Sequence, residues 1–133
     1  LFDGGRSIMV SYRSNTTPIQ ADKPQIAAAT ELAGEQLGMK LIYMDAGSGA
    51  LNPVSSKVIK AVRREVELPI VVGGGIRTAA RAAESLAAGA DMIVVGNGLE
   101  NDANWLPELA AAVREASTPD TSPKQEVGAK AEA

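Results

Sequence analysis

The fold is decided by residues 68–78, LPIVVGGGIRT. The apolar, β-branched run at 68–72 predicts a buried strand, and three consecutive glycines follow it. Thr78 is a favourable residue for capping a helix, and an Ala-rich segment continues to about Ala88 before Gly89. The stretch therefore predicts a strand, a glycine loop and a helix, which together form one β/α unit.

The same succession of strand, loop and helix occurs three more times. Further strands are predicted at residues 7–12, 40–45 and 91–95, with helices at 24–37, from 53 onward and at about 105–116. The strands lack polar alternation, so we expect them to be buried on both faces, as in a parallel sheet covered by helices. Four such units predict an α/β fold in which residues 1–116 are the carboxyl-terminal half of a (β/α)8 TIM barrel. A small doubly wound sheet is the alternative.

Composition excludes several kinds of chemistry. The 133 residues include 13 Lys and Arg against 16 Asp and Glu, a net charge of -3 that argues against nucleic-acid binding. The chain has no His and no Cys, which excludes disulfides, imidazole bases, thiolate nucleophiles and the usual zinc sites. No apolar run reaches the roughly 18 residues of a membrane span, so we expect a cytoplasmic protein. Residues 117–133 are rich in Pro, Ser, Lys and Glu and predict a disordered tail. The start at Leu1 suggests an amino-terminal truncation.

Two glycine loops predict a phosphate site. Residues 73–77, GGGIR, and 96–98, GNG, end consecutive predicted strands. Glycine lets backbone N–H groups approach an anion closely, and TIM barrels commonly bind phosphate at such loops near their last two strands. Tight turns alone are the simpler explanation of the glycines, although three in a row exceed what a turn requires. Arg77 is expected either to neutralise the phosphate or to cover the barrel rim.

A second candidate group lies in residues 43–50, YMDAGSGA. Positions two apart on a strand share a face, so Tyr43 and Asp45 are expected to point to the same side. A carboxylate beside a phenol and a glycine-flanked Ser48 can bind and polarise a substrate hydroxyl. The alternative is that Asp45 caps its own turn while Tyr43 packs in the core.

These motifs carry a family resemblance. YMDAGSGA at 43–50, VGGGIRT at 72–78 and GADMIVVGN at 89–97 resemble geranylgeranylglyceryl phosphate synthase and its bacterial heptaprenylglyceryl phosphate synthase relatives. The segments at 9–12, 15–19 and 22–24 resemble one archaeal and bacterial branch of that family, and the likeness covers about residues 5 to 115.

The resemblance implies a prenyltransferase. Such an enzyme transfers a polyprenyl group from its diphosphate to the 3-hydroxyl of sn-glycerol 1-phosphate in ether-lipid synthesis, with magnesium on the diphosphate. By motif, Tyr43 and Asp45 would contact the glycerol hydroxyls and serve as catalytic residues. The glycerol phosphate would be held by Ser48, Gly74, Gly75, Gly96 and Asn97. The family usually has Glu where this chain has Asp45, whose side chain is shorter by one methylene group.

The resemblance also implies what this chain lacks. The family's magnesium-binding Asp lies at the end of the first barrel strand, so we expect no metal ligand here, with the Mg²⁺ ligand in an amino-terminal half, and an inactive fragment. The expected partners are glycerol 1-phosphate, a polyprenyl diphosphate, a membrane contacted peripherally through the lipid substrate, and further copies of the chain as a homo-oligomer. The alternatives are another phosphate-binding TIM-barrel enzyme, an isomerase or an aldolase, and a catalytically silent phosphate-binding module. Lys40 precedes its strand, which counts against an aldolase Schiff base.

Overall fold

A parallel three-stranded sheet forms the centre of the chain. The computed structural model describes residues 1–117. The strands are β1 (Ile42–Asp45), β2 (Ile70–Gly73) and β3 (Met92–Val94), in the order β1-β2-β3. The register pairs Asp45 with Gly73 and Gly73 with Val94, so all three strands end at one edge.

Six α-helices accompany the sheet in the described residues. They are α1 (Met9–Ser14), α2 (Pro24–Gln36), α3 (Ser56–Glu65), α4 (Ala79–Ala87), α5 (Asn97–Asn101) and α6 (Leu106–Ser117), and a 3-10 turn at Ala103–Trp105 precedes α6. The predicted strands at 40–45, 68–72 and 91–95 and the four predicted helices are therefore confirmed, with ends shifted by a few residues. None of the helices within residues 1–117 has the length and apolar character needed to cross a membrane.

Local signals explain where the helices begin and end. The Thr78 hydroxyl accepts from the Arg81 N–H at 3.3 Å and caps α4, as its sequence position predicts. The Ser55 hydroxyl accepts from the Val58 N–H at 3.4 Å, so α3 starts at Ser56 rather than at the predicted residue 53. Gly89, with φ +119°, follows α4 in the backbone conformation that glycine adopts most readily.

The strand predicted at residues 7–12 is wrong. These residues run into helix α1, which buries none of its side chains and leaves Tyr12 83% exposed. The Ser11 hydroxyl donates to the Ile8 carbonyl at 2.8 Å, and Asn15 ends the helix with φ +51°. A β-branched run forms a strand only where a neighbouring strand takes its hydrogen bonds, and here local bonds replace them. An isolated parallel bridge joins Phe2 to Ile19 beside the sheet.

The core lies on one face of the sheet. Helices α2 and α3 pack on Ile42 and Met44 of β1 and on Ile70 and Val72 of β2. In α3, the side chains of Val58, Ile59 and Val62 are fully buried. Burial of each such side chain contributes about 1.5–3 kcal/mol. A smaller cluster joins α4 and α6 through Ala82 and Leu109.

The expectation that every strand is buried on both faces is wrong for β1 and β3. Tyr43, Met92 and Val94 project from the opposite face and are about half exposed, whereas β2 is buried throughout. Helices cover one face alone, and the exposed face is the one that points to the interior in a closed barrel. The predicted tail at 117–133 lies outside the described residues except for Ser117, which ends α6.

Candidate functional site

A cavity of about 270 Å³ lies at the edge where the three strands end. It is bounded by the loops that follow β1, β2 and β3 and by α1. The structure brings all seven predicted site residues to this cavity: Tyr43, Asp45, Ser48, Gly74, Gly75, Gly96 and Asn97. Residues that are 54 positions apart in the chain therefore share one space, because parallel strands end at the same edge.

Asp45 holds the turn that follows β1. Its carboxylate Oδ1 accepts from the Gly47 N–H at 2.8 Å, which is the turn-capping role that the sequence left open. Asp45 also borders the cavity, as does Ser48. The carboxylate is thus fixed in orientation by the loop while it remains within the cavity wall.

Tyr43 lies beside Asp45 on the cavity side of the sheet. Its ring is about half exposed rather than packed in the core. Partial burial raises the pKa of the Tyr43 phenol, and the negative charge of Asp45 raises it further. The phenol therefore remains protonated at neutral pH and can donate a hydrogen bond.

The backbone conformation and the packing both require glycine at positions 74 and 75. Both have positive φ, +77° and +70°. A Cβ at Gly74 would lie 2.7 Å from the Gly47 backbone, and one at Gly75 would lie 2.6 Å from the Asn52 carbonyl carbon. These glycines let the β2 loop pack directly on the backbone of the β1 loop, so their presence is explained without a ligand.

Gly96 is different from the other glycines at the cavity. A Cβ built at Gly96 meets no atom within 4 Å. Packing therefore does not require glycine at this position. Open space at a position that lines the cavity is what a ligand approaching the backbone closely would need.

Two side chains connect the three loops. The Asn97 Oδ1 accepts from the Gly49 N–H at 3.2 Å and joins the β3 loop to the β1 loop. Arg77 Nη2 donates to the Ala50 carbonyl at 2.9 Å and joins the β2 loop to the β1 loop. Arg77 thus both supports the rim and brings a positive charge to the cavity, the two roles that the sequence could not separate.

Several lining residues escaped the sequence analysis. Val94 is the partner of Gly73 in the β2–β3 register, so its place on the cavity face follows from the alternation of β3. Val10 reaches the cavity from α1, and no motif marks it. Gly49, Ile76 and Gly98 belong to the quoted loops but were not singled out as site residues.

The described residues offer no metal centre. No group of three or more Asp, Glu, His or Cys side chains converges within residues 1–117. Asp45 and Arg77 are the two charged residues among those that line the cavity. This donor set does not fit a magnesium ion, which prefers several oxygen ligands.

The fold and the site define part of a β/α barrel with a cavity built from the loops at the carboxyl ends of its strands. A sequence profile of the PcrB family matches residues 6–116. The chain therefore belongs to the PcrB family, and the resemblance found in its motifs is confirmed.

Two relatives of this chain carry the same name. A geranylgeranylglyceryl phosphate synthase of Spirosoma linguale is 58% identical over 113 residues, which are 85% of this chain and 45% of that protein. The enzyme of the same name from Thermococcus gammatolerans is 48% identical over 91 residues, 68% of this chain and 36% of that protein. This chain thus spans less than half the length of these relatives.

Two solved structures of such synthases are similar to this chain. The (S)-3-O-geranylgeranylglyceryl phosphate synthase of Thermoplasma acidophilum, in complex with its substrate sn-glycerol-1-phosphate, superposes with a TM-score of 0.76 at 36% identity, covering 86% of this chain and 45% of that one. The synthase of Thermoplasma volcanium gives 0.73 at 34% identity, over 84% of this chain and 45% of its own. The α/β fold is accordingly that of a partial TIM barrel.

Proposed function

We propose that this chain forms the glycerol 1-phosphate-binding part of a prenyltransferase. The whole enzyme would transfer a polyprenyl group from its diphosphate to the 3-hydroxyl of sn-glycerol 1-phosphate. The observation that carries the proposal is the convergence of Tyr43, Asp45 and the three strand-end loops on one cavity. A relative of the same fold binds sn-glycerol-1-phosphate, which supports this choice of ligand.

The phosphate would lie against the loops that follow β2 and β3. Gly96 leaves open space at its backbone, and Asn97 is held by the Gly49 N–H. Because that N–H engages Oδ1, the Nδ2 group of Asn97 is left as the donor that can turn to a phosphate oxygen. Arg77, anchored on Ala50, supplies positive charge near the same loops.

The glycerol hydroxyls would lie toward Tyr43 and Asp45. The attacking hydroxyl oxygen forms a bond to C1 of the prenyl group as the bond from C1 to the diphosphate oxygen breaks. The hydroxyl proton passes to the Asp45 carboxylate, and diphosphate leaves with the bonding electron pair. Tyr43 donates a hydrogen bond that orients the second hydroxyl, because its phenol is protonated at neutral pH.

We propose that the whole enzyme requires the magnesium ion that the family resemblance implies. Residues 1–117 do not hold a set of ligands for it. We therefore propose that the whole enzyme holds the ion with residues outside 1–117.

A hybrid protein tests the proposal. Residues 6–116 of this chain would replace the aligned segment of the Spirosoma linguale relative, which is 58% identical. The hybrid should convert geranylgeranyl diphosphate and sn-glycerol 1-phosphate to the ether product and should discriminate against sn-glycerol 3-phosphate. The 133-residue chain alone should bind sn-glycerol 1-phosphate without turnover. A folded hybrid without activity would contradict the proposal and favour a phosphate-binding module without catalysis.

A further inference from the structure

Gly73 occupies the middle of the residue row nearest the cavity. The register places Asp45, Gly73 and Val94 side by side across the three strands. One row further from the cavity, Tyr43, Val71 and Met92 are likewise aligned across the sheet. Every position of the two rows has a side chain on this face except Gly73.

The ring of Tyr43 fills the space over Gly73. A Cβ built at Gly73 would lie 2.5 Å from the Tyr43 hydroxyl oxygen, 3.0 Å from its Cε2 and 3.1 Å from its Cζ. Gly73 does not have positive φ, so its backbone conformation is open to any residue. The phenol, rather than the backbone, therefore requires glycine at this position.

We propose that Gly73 is a positioning residue for Tyr43: the absence of a side chain at Gly73 lets the phenol lie over β2 in the row nearest the cavity, the row that also holds Asp45. The hydroxyl is thereby carried from its own row into the next row on this face, which lies two residues or about 6.6 Å further along the strand. The role of this placement in ligand binding rests on the proposed function, whereas the placement itself does not.

The electrostatics of Tyr43 agree with this geometry. Desolvation makes the larger contribution to the raised pKa of the Tyr43 phenol, and the negative charge of Asp45 makes the smaller one in the same direction. Both effects fit a ring that lies over Gly73, on the face of the sheet that also carries Asp45. A ring turned out to solvent would lose both.

A Gly73→Ala substitution should move the ring and leave the fold intact. The atoms that a methyl group would meet belong to the far end of the Tyr43 side chain, which can rotate away. The ring then turns toward the exposed side of the sheet, where Tyr43 is already about half exposed. The expected result is a folded protein with a displaced phenol.

A spectrophotometric titration reads the position of the phenol without any ligand. The chain has two tyrosines, so Tyr12→Phe leaves Tyr43 as the sole phenol. In the full 133-residue chain with this change, Gly73→Ala should lower the Tyr43 pKa toward its ordinary value, followed by phenolate absorbance near 295 nm. Gly34→Ala is the matched control. Gly34 lies in α2, and a Cβ there meets only the Met39 side chain, at 3.8 Å. This substitution should leave the titration of Tyr43 unchanged. An unaltered Tyr43 pKa in folded Gly73→Ala would overturn the proposal.

A double-mutant cycle measures how the position of the phenol affects the affinity for sn-glycerol 1-phosphate. Gly73→Ala should weaken sn-glycerol 1-phosphate binding about five- to tenfold in the parent chain, the effect of one lost hydrogen bond. In a Tyr43→Ala background, where the methyl group has room, the same change should alter the dissociation constant less than twofold. Equal losses in both backgrounds would show that Gly73 acts independently of Tyr43 and would overturn the proposal.

The two measurements separate the possible failures. If the parent chain does not bind sn-glycerol 1-phosphate, the proposed function fails, and the titration still decides the role of Gly73. If Gly73→Ala unfolds, the Tyr43→Ala double variant should fold again, since the ring that clashes is gone. Failure of both to fold would mean that the structure needs Gly73 for another reason, against the proposal.

Discussion

Replacing Gly96 distinguishes a ligand-binding loop from a purely structural one. A Cβ at Gly96 meets no protein atom within 4 Å, so Gly96→Val places its first side-chain carbon in open space and the variant should fold. If phosphate approaches this backbone, the valine side chain blocks it. The loss of one hydrogen bond to a charged group, about 1.5–3 kcal/mol, corresponds to a roughly 10- to 150-fold weaker affinity.

The comparison with Gly75 shows why Gly96 is the better position. A Cβ at Gly75 would lie 2.6–2.8 Å from backbone atoms of Asn52 and Pro53, and its φ is +70°. Gly75→Val should therefore destabilise the fold by several kcal/mol, and lost binding would carry no information about phosphate.

The assay for Gly96→Val combines titration calorimetry with sn-glycerol 1-phosphate and thermal unfolding of the same sample. Gly34→Ala serves as the control away from the cavity and should raise stability by about 0.5–1 kcal/mol without changing the affinity. Unchanged affinity in a stably folded Gly96→Val variant would refute the phosphate position at the β3 loop.

Three further outcomes follow from contacts in the structure. Asp45→Asn keeps an oxygen acceptor for the Gly47 N–H, so the hybrid enzyme should fold normally and lose about 10²- to 10⁴-fold in turnover, whereas a loss under about threefold would leave Asp45 as a turn cap only. Arg77→Met removes the hydrogen bond to the Ala50 carbonyl and should weaken sn-glycerol 1-phosphate binding about tenfold by calorimetry, a result that an unchanged affinity would contradict. Desolvation raises the pKa of Glu31 above 4.5, so its folded form binds a proton more tightly than its unfolded form and stability falls as pH rises from 4 to 7. Glu31→Gln should consequently raise the unfolding temperature at pH 7 more than at pH 4, and the reverse order in thermal scans would show that this sign is wrong.

Helices and interior strands were predictable because their sequence signals and their packing agree. Residues 24–37 combine a Pro at the helix start with Gly38 beyond its end, and the structure has α2 at Pro24–Gln36. The run at 68–72 is apolar throughout, and β2 is buried on both faces. Residues 7–12 also contain apolar residues but gain no neighbouring strand, so local bonds such as that of Ser11 to Ile8 decide their conformation.

The membership of the site was predictable, but its internal contacts were not. Residues at the ends of parallel strands must share one edge of the sheet. The sequence alone therefore placed Tyr43, Asp45 and Asn97 at one site. The link from Asn97 to Gly49 spans 48 positions and depends on how two loops meet. The passage of the Tyr43 ring over Gly73 likewise depends on tertiary packing, which periodicity does not encode.

Backbone amide shifts show directly whether sn-glycerol 1-phosphate binds at the loops that end the three strands. The ¹⁵N-labelled 133-residue chain would be titrated with sn-glycerol 1-phosphate and followed by two-dimensional ¹H–¹⁵N spectra. The largest saturable shifts should fall on Ser48, Gly74, Gly75, Gly96 and Asn97, with little change on the amides of α2. Shifts confined to residues away from this cavity, or a folded chain without any saturable shift, would contradict binding of sn-glycerol 1-phosphate at these loops.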